Sequence, residues 1–469
     1  MHDASAMPDG AQPETPPAEP ALTRSLSLTQ AIALNVANMV GIGPFITIPL
    51  FIAAMNGPHA LIAWVIAAIL VLCDGLVWSE LGAALPGSGG SYHFLKEIYG
   101  PLHPLWGQLM PFLFIWQFLI SGTLEVASGY IGTVAYLGYV FPNLEPTLVE
   151  WGIPGGTSSV AAAACLVVTA LLCRRIESIG RMGIYLCAGT FVAVLTIIVS
   201  GVLNFDIGKL TFPTDQFRWS NAGPLVVGLG GAMQIAIYDY LGYYNVCHLG
   251  DEIRDPGRTI PRAVIRSIWI VAAIYFLMNF SIIVVIPWQQ AMVSKNVAAD
   301  FMEVLYGREV AVAFTCLILW AVAAGMFAIT LGYSRIPYAA ARNGDFFSVF
   351  AKLHPTEKYP IVSLWALGIL TAICCYFSLD QVIKAAVTIR ILVQFIGQII
   401  ALHIMRTMRP DIEMPYRMRF YPLASILAIC GWLFLIGISE WSVFVAAFGV
   451  TIAGLPVFIV WKSITRRVA

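Results

Sequence analysis

Long apolar stretches, separated by short polar connections, occupy most of the chain. A helix that crosses about 30 Å of hydrocarbon needs about 20 apolar residues. Twelve segments approach or exceed that length, and no strand-like alternation recurs, which excludes a membrane barrel. The pattern predicts an all-α integral membrane protein with twelve transmembrane helices. The predicted spans lie near residues 29–53, 59–83, 105–141, 158–173, 179–203, 222–249, 263–287, 310–340, 361–378, 381–405, 421–438 and 441–461.

The composition indicates a surface that faces lipid. Hydrophobic residues make up 59% of the 469 residues and charged residues 11%, whereas soluble domains carry roughly 25% charged residues. The formal net charge is zero, which argues against a nucleic-acid partner, because phosphate binding requires a basic excess. We therefore expect the lipid bilayer to cover most of the surface and expect no nucleic acid.

The Lys and Arg residues predict how the chain crosses the membrane. Of the 26 such residues, twenty fall in one alternating set of connections and termini, five fall in the opposite set, and Arg390 lies inside a span. Because these residues accumulate on the cytoplasmic side, both termini are predicted to be cytoplasmic in a multi-pass protein of the plasma (inner) membrane. Residues 1–24 are rich in Pro and Ala and lack an apolar run, which predicts a disordered cytoplasmic tail ahead of a transporter domain at 25–467.

The stretch GIGPFITIPL interrupts the first span. Gly41 and Gly43 flank Ile42, and Pro44 and Pro49 follow. Glycine lowers the cost of unwinding a helix, and proline removes a backbone donor. Broken backbone at the depth of the bilayer centre is tolerated where it lines a cavity or is buried in protein. The stretch predicts a broken helix at a binding site, with a packed Gly–Pro kink as the alternative.

The sixth span contains a matching interruption. Gly242 lies in its middle, directly after the polar and aromatic run of Tyr238, Asp239 and Tyr240. Spans one and six are corresponding members of two successive groups of five, and matching breaks of this kind indicate a transporter site built from half-helices. The amino termini of half-helices attract a carboxylate, and freed carbonyls and nearby acids can hold an amine.

Four motifs, of which the first-span break is one, support a family resemblance. GIGPF, WSELGAALPGSGGSYHFLKEIYGP, GDEIRDPGRTIPRA and YSRIPYAAARNGDFFSVFAKLHPTEKYP follow one another at the expected spans. With them, the chain resembles the amino acid–polyamine–organocation (APC) superfamily of permeases. The resemblance implies a five-plus-five inverted repeat with discontinuous helices 1 and 6. Repeat one would cover 29–203, repeat two 222–405, and two peripheral helices 421–461.

The resemblance implies uptake or exchange of amino acids or related amines. We expect a secondary active transporter that works by alternating access and is coupled to protons. Two alternatives stay open: an uncoupled amino-acid exchanger, and a polyamine-selective importer, because SGTLEVASGY around Glu125 resembles the polyamine-uptake branch. Many family members have a serine where this chain has Ile42, and some proton-coupled members have a lysine near the position of Thr190. This chain has neither, which argues against lysine-based coupling.

Ionisable residues inside the spans are candidates for function, because each costs about 2.5–3.5 kcal/mol on insertion scales. Asp74, Glu125 and Asp239 lie at a plausible depth, and Arg390 is the basic residue deep in a span. A buried guanidinium requires a carboxylate partner. Similar depth predicts a gating pair of Asp239 with Arg390, and a pair of Arg390 with Glu125 is the rival assignment. Glu125 is also the expected proton carrier.

These observations define a predicted site around one small amine-bearing solute, with protons as a second partner. We find no nucleophile–base arrangement and no metal-ligand cluster in the sequence, so we expect neither an enzyme nor a cofactor. The predicted substrate-binding residues are Asn38, Val40, Gly41, Ile42, Gly43, Glu125, Tyr238, Asp239, Leu241 and Gly242. The predicted coupling or gating residues are Glu125, Asp239, Arg390 and Tyr240.

Overall fold

The computed structural model is built of α-helices that follow the twelve predicted spans. It describes residues 24–41, 43–173, 179–206, 208, 210–213, 222–357 and 359–468, so Ile42 and the tail up to residue 23 lie outside it. The helices are α1 (Leu28–Met39), α2 (Gly43–Met55), α3 (Leu61–Ala84), α4 (Ser91–Tyr99), α5 (Pro104–Val140), α6 (Leu144–Glu150), α7 (Thr157–Leu171), α8 (Ile179–Leu203), α9 (Ala222–Tyr240), α10 (Pro256–Ile283), α11 (Trp288–Ala291), α12 (Val297–Tyr306), α13 (Arg308–Arg342), α14 (Ile361–Cys374), α15 (Leu379–Arg390), α16 (Gly397–Met408), α17 (Leu423–Ile438) and α18 (Trp441–Val468).

Length and composition identify the helices that can cross a membrane. Within the described ranges, six helices are long and apolar enough, and the bent pair of α1 and α2 makes a seventh if it is taken as one span. Four shorter apolar helices of 10–17 residues are α7, the Ala188–Leu203 part of α8, α14 and α17. Each predicted span is therefore helical, while the number of twelve crossings stays a prediction.

The first span is broken where its glycines predict. α1 ends at Met39, α2 begins at Gly43, and the two helices meet at 53°. The last turn of α1 is closed by the N–H of Val40, which donates to the carbonyl of Val36 at 2.8 Å. The backbone then leaves the helical path through Gly41, so the amino end of α2 begins inside the protein.

The proline inside α2 is compensated by another helix. Pro49 has no N–H to donate to the carbonyl of Phe45, four residues earlier. The hydroxyl of Tyr136 on α5 donates to that carbonyl at 2.8 Å instead. The hydrogen bonding of α2 is therefore completed by α5.

The sixth span differs from its prediction beyond the break. We predicted a span over 222–249, but the regular helix ends at Tyr240, and Gly242 has φ +108°, a conformation that favours glycine. Two 3-10 turns follow, Asn245–His248 and Gly250–Glu252. The backbone of the GSGG stretch hydrogen-bonds to both turns, which satisfies polar groups that a regular helix would have paired internally.

The packing of the helices places the two breaks side by side. α2 packs against α9, α1 against α10, and α5 against both α13 and α15. The tenth span is also irregular, because a π-helical segment, Ile391–Ile396, joins α15 to α16. Such wide turns occur frequently at functional sites. The irregular parts of spans one, six and ten therefore surround the middle of the bundle.

Candidate functional site

A cavity of about 610 Å³ lies where the two breaks meet α5 and α13. Eight of the predicted substrate-binding residues line it: Asn38, Val40, Gly41, Gly43, Glu125, Tyr238, Asp239 and Leu241. Gly242 lies behind this wall, and a Cβ added to it would be 2.8 Å from Nδ2 of Asn38. The structure thus brings together residues that were predicted separately from the two broken spans.

The wall of the cavity extends from the middle of the bundle toward one predicted side of the membrane. It reaches Tyr92 and Arg335, which belong to the half that the Lys and Arg distribution predicts to be cytoplasmic. At the opposite end, the hydroxyl of Tyr238 is hydrogen-bonded to Oγ of Ser128 on α5, and it donates to the carbonyl of Glu125 at 3.4 Å. Tyr238 therefore joins α9 to α5 at this end of the cavity wall.

Tyr240, which was predicted to act in gating, does not line the cavity. It is 1% exposed, and its ring packs against Trp64 and Tyr275 with centroid distances of 5.6 Å and 5.8 Å. Residues two apart on an α-helix point about 200° away from each other, so Tyr238 and Tyr240 face different surroundings. In this conformation Tyr240 is a packed core residue, and its role as a gate stays a prediction.

Asp239 presents one unpaired carboxylate oxygen at the wall of the cavity. Its Oδ2 accepts a hydrogen bond from Oγ1 of Thr47 on α2 at 2.6 Å, while its buried Oδ1 has no partner among the described residues. A Cβ added to Gly43 would collide with that Oδ1. An unpaired buried acceptor costs about 1–3 kcal/mol. Asp239 is therefore well placed to accept a donor from a bound solute.

Arg390 pairs with Glu125 and not with Asp239. The guanidinium, whose side chain is 1% exposed, forms an ion pair with Glu125 and donates through Nε to Oγ of Ser121 at 3.1 Å. It also lies 3.5 Å from the hydroxyl of Tyr244. In this conformation the expected Asp239–Arg390 pair is wrong and the rival assignment is found. α15 packs against both α5 and α9, and the side chain of Arg390 reaches the α5 residues Glu125 and Ser121.

Asp74 lies away from the cavity and has both oxygens satisfied. The hydroxyl of Tyr243 donates to Oδ2, and Nε1 of Trp432 on α17 donates to Oδ1 at 3.1 Å. The residue is 1% exposed. Asp74 therefore connects α3, the break of span six and α17, which is a structural role.

Asn35 is an important residue that sequence reasoning missed. Its Nδ2 donates to the carbonyl of Tyr243 at 2.6 Å, and its Oδ1 accepts from the N–H of Val246 at 2.8 Å. One α1 side chain thus satisfies a carbonyl and an amide freed by the break of span six. A polar residue in an apolar span was the available signal.

Tyr275 on α10 was missed as well. Its hydroxyl donates to the carbonyl of Met39 at 2.5 Å and lies 3.3 Å from the carbonyl of Asp239. These are the last turns of α1 and α9, so one hydroxyl contacts the ends of both broken helices. A tyrosine in an apolar span carries little signal, because tyrosine is common in packed cores.

Broken helices that surround a central cavity, with ionisable side chains at the bilayer depth, define a membrane transporter. The chain belongs to the amino acid permease family, whose profile matches residues 26–463. It is therefore a multi-pass membrane transporter of the APC superfamily and not an enzyme.

Three relatives illustrate the similarity. The human cystine/glutamate transporter is 27% identical over 461 residues, which cover 95% of this chain and 87% of the relative. The human large neutral amino acids transporter small subunit 2 is 26% identical, with 93% and 80% covered. The serine/threonine exchanger SteT of Bacillus subtilis (strain 168) is 24% identical, with 93% and 96% covered. These names concern amino acids, and they give no support to the expected polyamine transport or proton symport.

Proposed function

We propose that this protein exchanges neutral amino acids across the membrane, one molecule for another, without a driving ion. The observation that carries the proposal is the cavity of about 610 Å³ in which the ends of α1 and α9 meet. A relative named as a serine/threonine exchanger supports exchange rather than the proton-coupled uptake that the sequence predicted. Exchange requires that the loaded carrier switches sides more readily than the empty one.

The backbone of the substrate binds between the two breaks. Its carboxylate lies beside Gly41 and the amino end of α2, where free N–H groups and the helix dipole favour an anion. Among the described residues, and apart from its chain neighbours, no atom lies within 4 Å of a Cβ added to Gly41, so a ligand has room to approach this backbone. The ammonium group donates to Oδ1 of Asp239 and to carbonyls at the end of α1.

The substrate side chain extends toward α5 and α13. The wall there contains the apolar residues Phe118, Met326 and Ile329, which favour a side chain without charge. Glu125 is the acid in this wall, and it is already neutralised by Arg390. This environment supports a neutral amino acid over a cationic one.

The ion pair of Glu125 also argues against its predicted task as proton carrier. Removing one partner of a buried pair costs about 3–5 kcal/mol, because the other charge is left uncompensated. Protonation of Glu125 would strand the guanidinium of Arg390 in the same way. An acid whose negative charge must compensate a buried arginine is poorly suited to binding and releasing a proton in each transport cycle.

Counterflow in proteoliposomes tests the proposal. The purified protein is reconstituted, the vesicles are loaded with one unlabelled neutral amino acid, and uptake of labelled neutral, anionic and cationic amino acids and of a polyamine is measured. We expect uptake of neutral amino acids to be at least about tenfold faster into loaded than into empty vesicles, and unchanged by an imposed pH gradient. Concentrative uptake into empty vesicles that depends on the gradient would instead establish proton coupling.

A glycine pair provides the matched control for the site. In the part of the chain that the structure describes, and apart from chain neighbours, neither Gly41 nor Gly449 on α18 has an atom within 4 Å of an added Cβ. Both positions therefore accept a larger side chain without a clash at Cβ. Gly41→Leu places that side chain at the cavity and should abolish counterflow, whereas Gly449→Leu should retain it. Equal counterflow in the two variants would show that the break of the first span is not part of the binding site.

A further inference from the structure

We infer that Gln394 selects substrates whose neutral side chain carries a hydroxyl or amide hydrogen-bond donor. This inference deepens the exchange function proposed above and rests on it. Gln394 lines the cavity and is 2% exposed, and its buried Oε1 has no partner among the described residues. A buried, unpaired acceptor in a cavity wall is satisfied when a ligand supplies the donor.

The position of Gln394 is fixed by its neighbours. It lies in the π-helical segment directly after α15. The next residue, Phe395, stacks on Trp432 with a centroid distance of 4.2 Å and an interplanar angle of 4°, and Trp432 in turn donates to Asp74. This packing anchors the backbone that carries Gln394, so little backbone ordering is required when a ligand arrives.

The surroundings of Gln394 favour a neutral donor over an ammonium group. Arg390 and Glu125 form an ion pair with each other, so they add no net charge to this wall. The free group is an amide oxygen, which accepts from O–H or N–H. An aliphatic side chain of the same shape would leave that oxygen unpaired, and sites built to bond a polar group discriminate strongly against analogues that lack it.

Gln398 provides an internal comparison four residues further along. It is also buried and its Oε1 is also without a partner in the described residues, but its Nε2 donates to Ser91 and it is not part of the cavity wall. The two glutamines share chemistry and burial and differ in their access to the cavity. The geometry therefore assigns the selective role to Gln394.

Threonine and valine form the matched ligand pair, because they have nearly the same shape and differ in one hydroxyl. The affinity of each amino acid is measured by how strongly it inhibits counterflow of a labelled substrate. For the unmodified protein, we expect threonine to bind about tenfold more tightly than valine. Gln394→Met should lower the affinity for threonine about tenfold, leave valine unchanged or improved, and bring the ratio close to one. Gln398→Met should keep the ratio of the unmodified protein, and thermal unfolding should show that both variants fold.

Each outcome decides one question. Equal affinities for threonine and valine in the unmodified protein would overturn the inference while leaving exchange intact, and this comparison needs no variant. An unchanged ratio in folded Gln394→Met would also overturn it. Absence of counterflow for every amino acid tested would instead overturn the proposed function.

Discussion

Asp74 and Asp239 are two buried aspartates that differ in one respect. Both lie in predicted spans, and they are 1% and 2% exposed. Asp74 accepts hydrogen bonds at both oxygens, from Tyr243 and Trp432, whereas Asp239 accepts one from Thr47 and keeps Oδ1 unpaired at the cavity wall. Insertion cost alone marks both as candidates for function. The difference teaches that an intramembrane acid is assigned to structure or to binding by its partners.

The strongest test of this difference replaces the unpaired carboxylate. Asp239→Asn keeps an acceptor for Thr47 but removes the charge that the proposed ammonium contact uses. A hydrogen bond to a charged group contributes about 1.5–3 kcal/mol, so we expect counterflow affinity to fall about 10- to 100-fold. Binding is measured by competition, and thermal unfolding serves as the folding control. If the folded variant binds with unchanged affinity, Asp239 has a structural role like that of Asp74 and does not bind the substrate.

A smaller effect is expected from moving Asp239 rather than replacing it. A Cβ on Gly43 would collide with Oδ1 of Asp239, whereas a Cβ on Gly41 meets no atom within 4 Å. Gly43→Ala should therefore displace the carboxylate and lower counterflow affinity about tenfold. Gly41→Ala should cost less than Gly43→Ala, since its methyl group meets open space. The reverse order of affinities would contradict the position of Asp239 in the site.

The smallest effect on transport is expected at Asp74. Tyr243 and Trp432 both donate to Asp74. In Asp74→Asn, the amide NH₂ group would face one of these donors and leave it without an acceptor, which costs about 1–3 kcal/mol for a buried donor. We expect a lower unfolding temperature and less folded protein. Counterflow per folded molecule should stay within about threefold of the unmodified protein. A much larger loss of counterflow, with unfolding unchanged, would give Asp74 a direct role in transport.

The sequence was a reliable guide to the positions of the helices and of the breaks. A span needs a long apolar run whatever its neighbours are, and Gly41, Gly43 and Gly242 act locally on the backbone that contains them. For that reason the break of span one was found at the predicted residues. The inner part of span six was predicted less well, because its two 3-10 turns depend on hydrogen bonds to the distant GSGG stretch.

Side-chain partners were the part that could not be predicted. Depth along a span is readable from the sequence, but the face of a helix and the choice of neighbour are set by packing. Arg390 reached Glu125 rather than Asp239 for this reason, and Tyr240 packed away from the cavity. Asn35 and Gln394 carried a visible signal, as polar residues in apolar spans, yet only the packing reveals that one bonds to a broken helix and the other lines the cavity.

The bond from Tyr136 to the carbonyl of Phe45 limits how the bundle can rock during transport. Tilting α2 away from α5 would leave that carbonyl without a donor, at a cost of about 1–3 kcal/mol, because Pro49 cannot supply one. Bending at the break before Gly43 leaves this bond intact. We therefore expect the bond to favour movements in which α2 keeps its contact with α5 and the change of angle falls at the break. A single proline in this way biases which part of the first span moves.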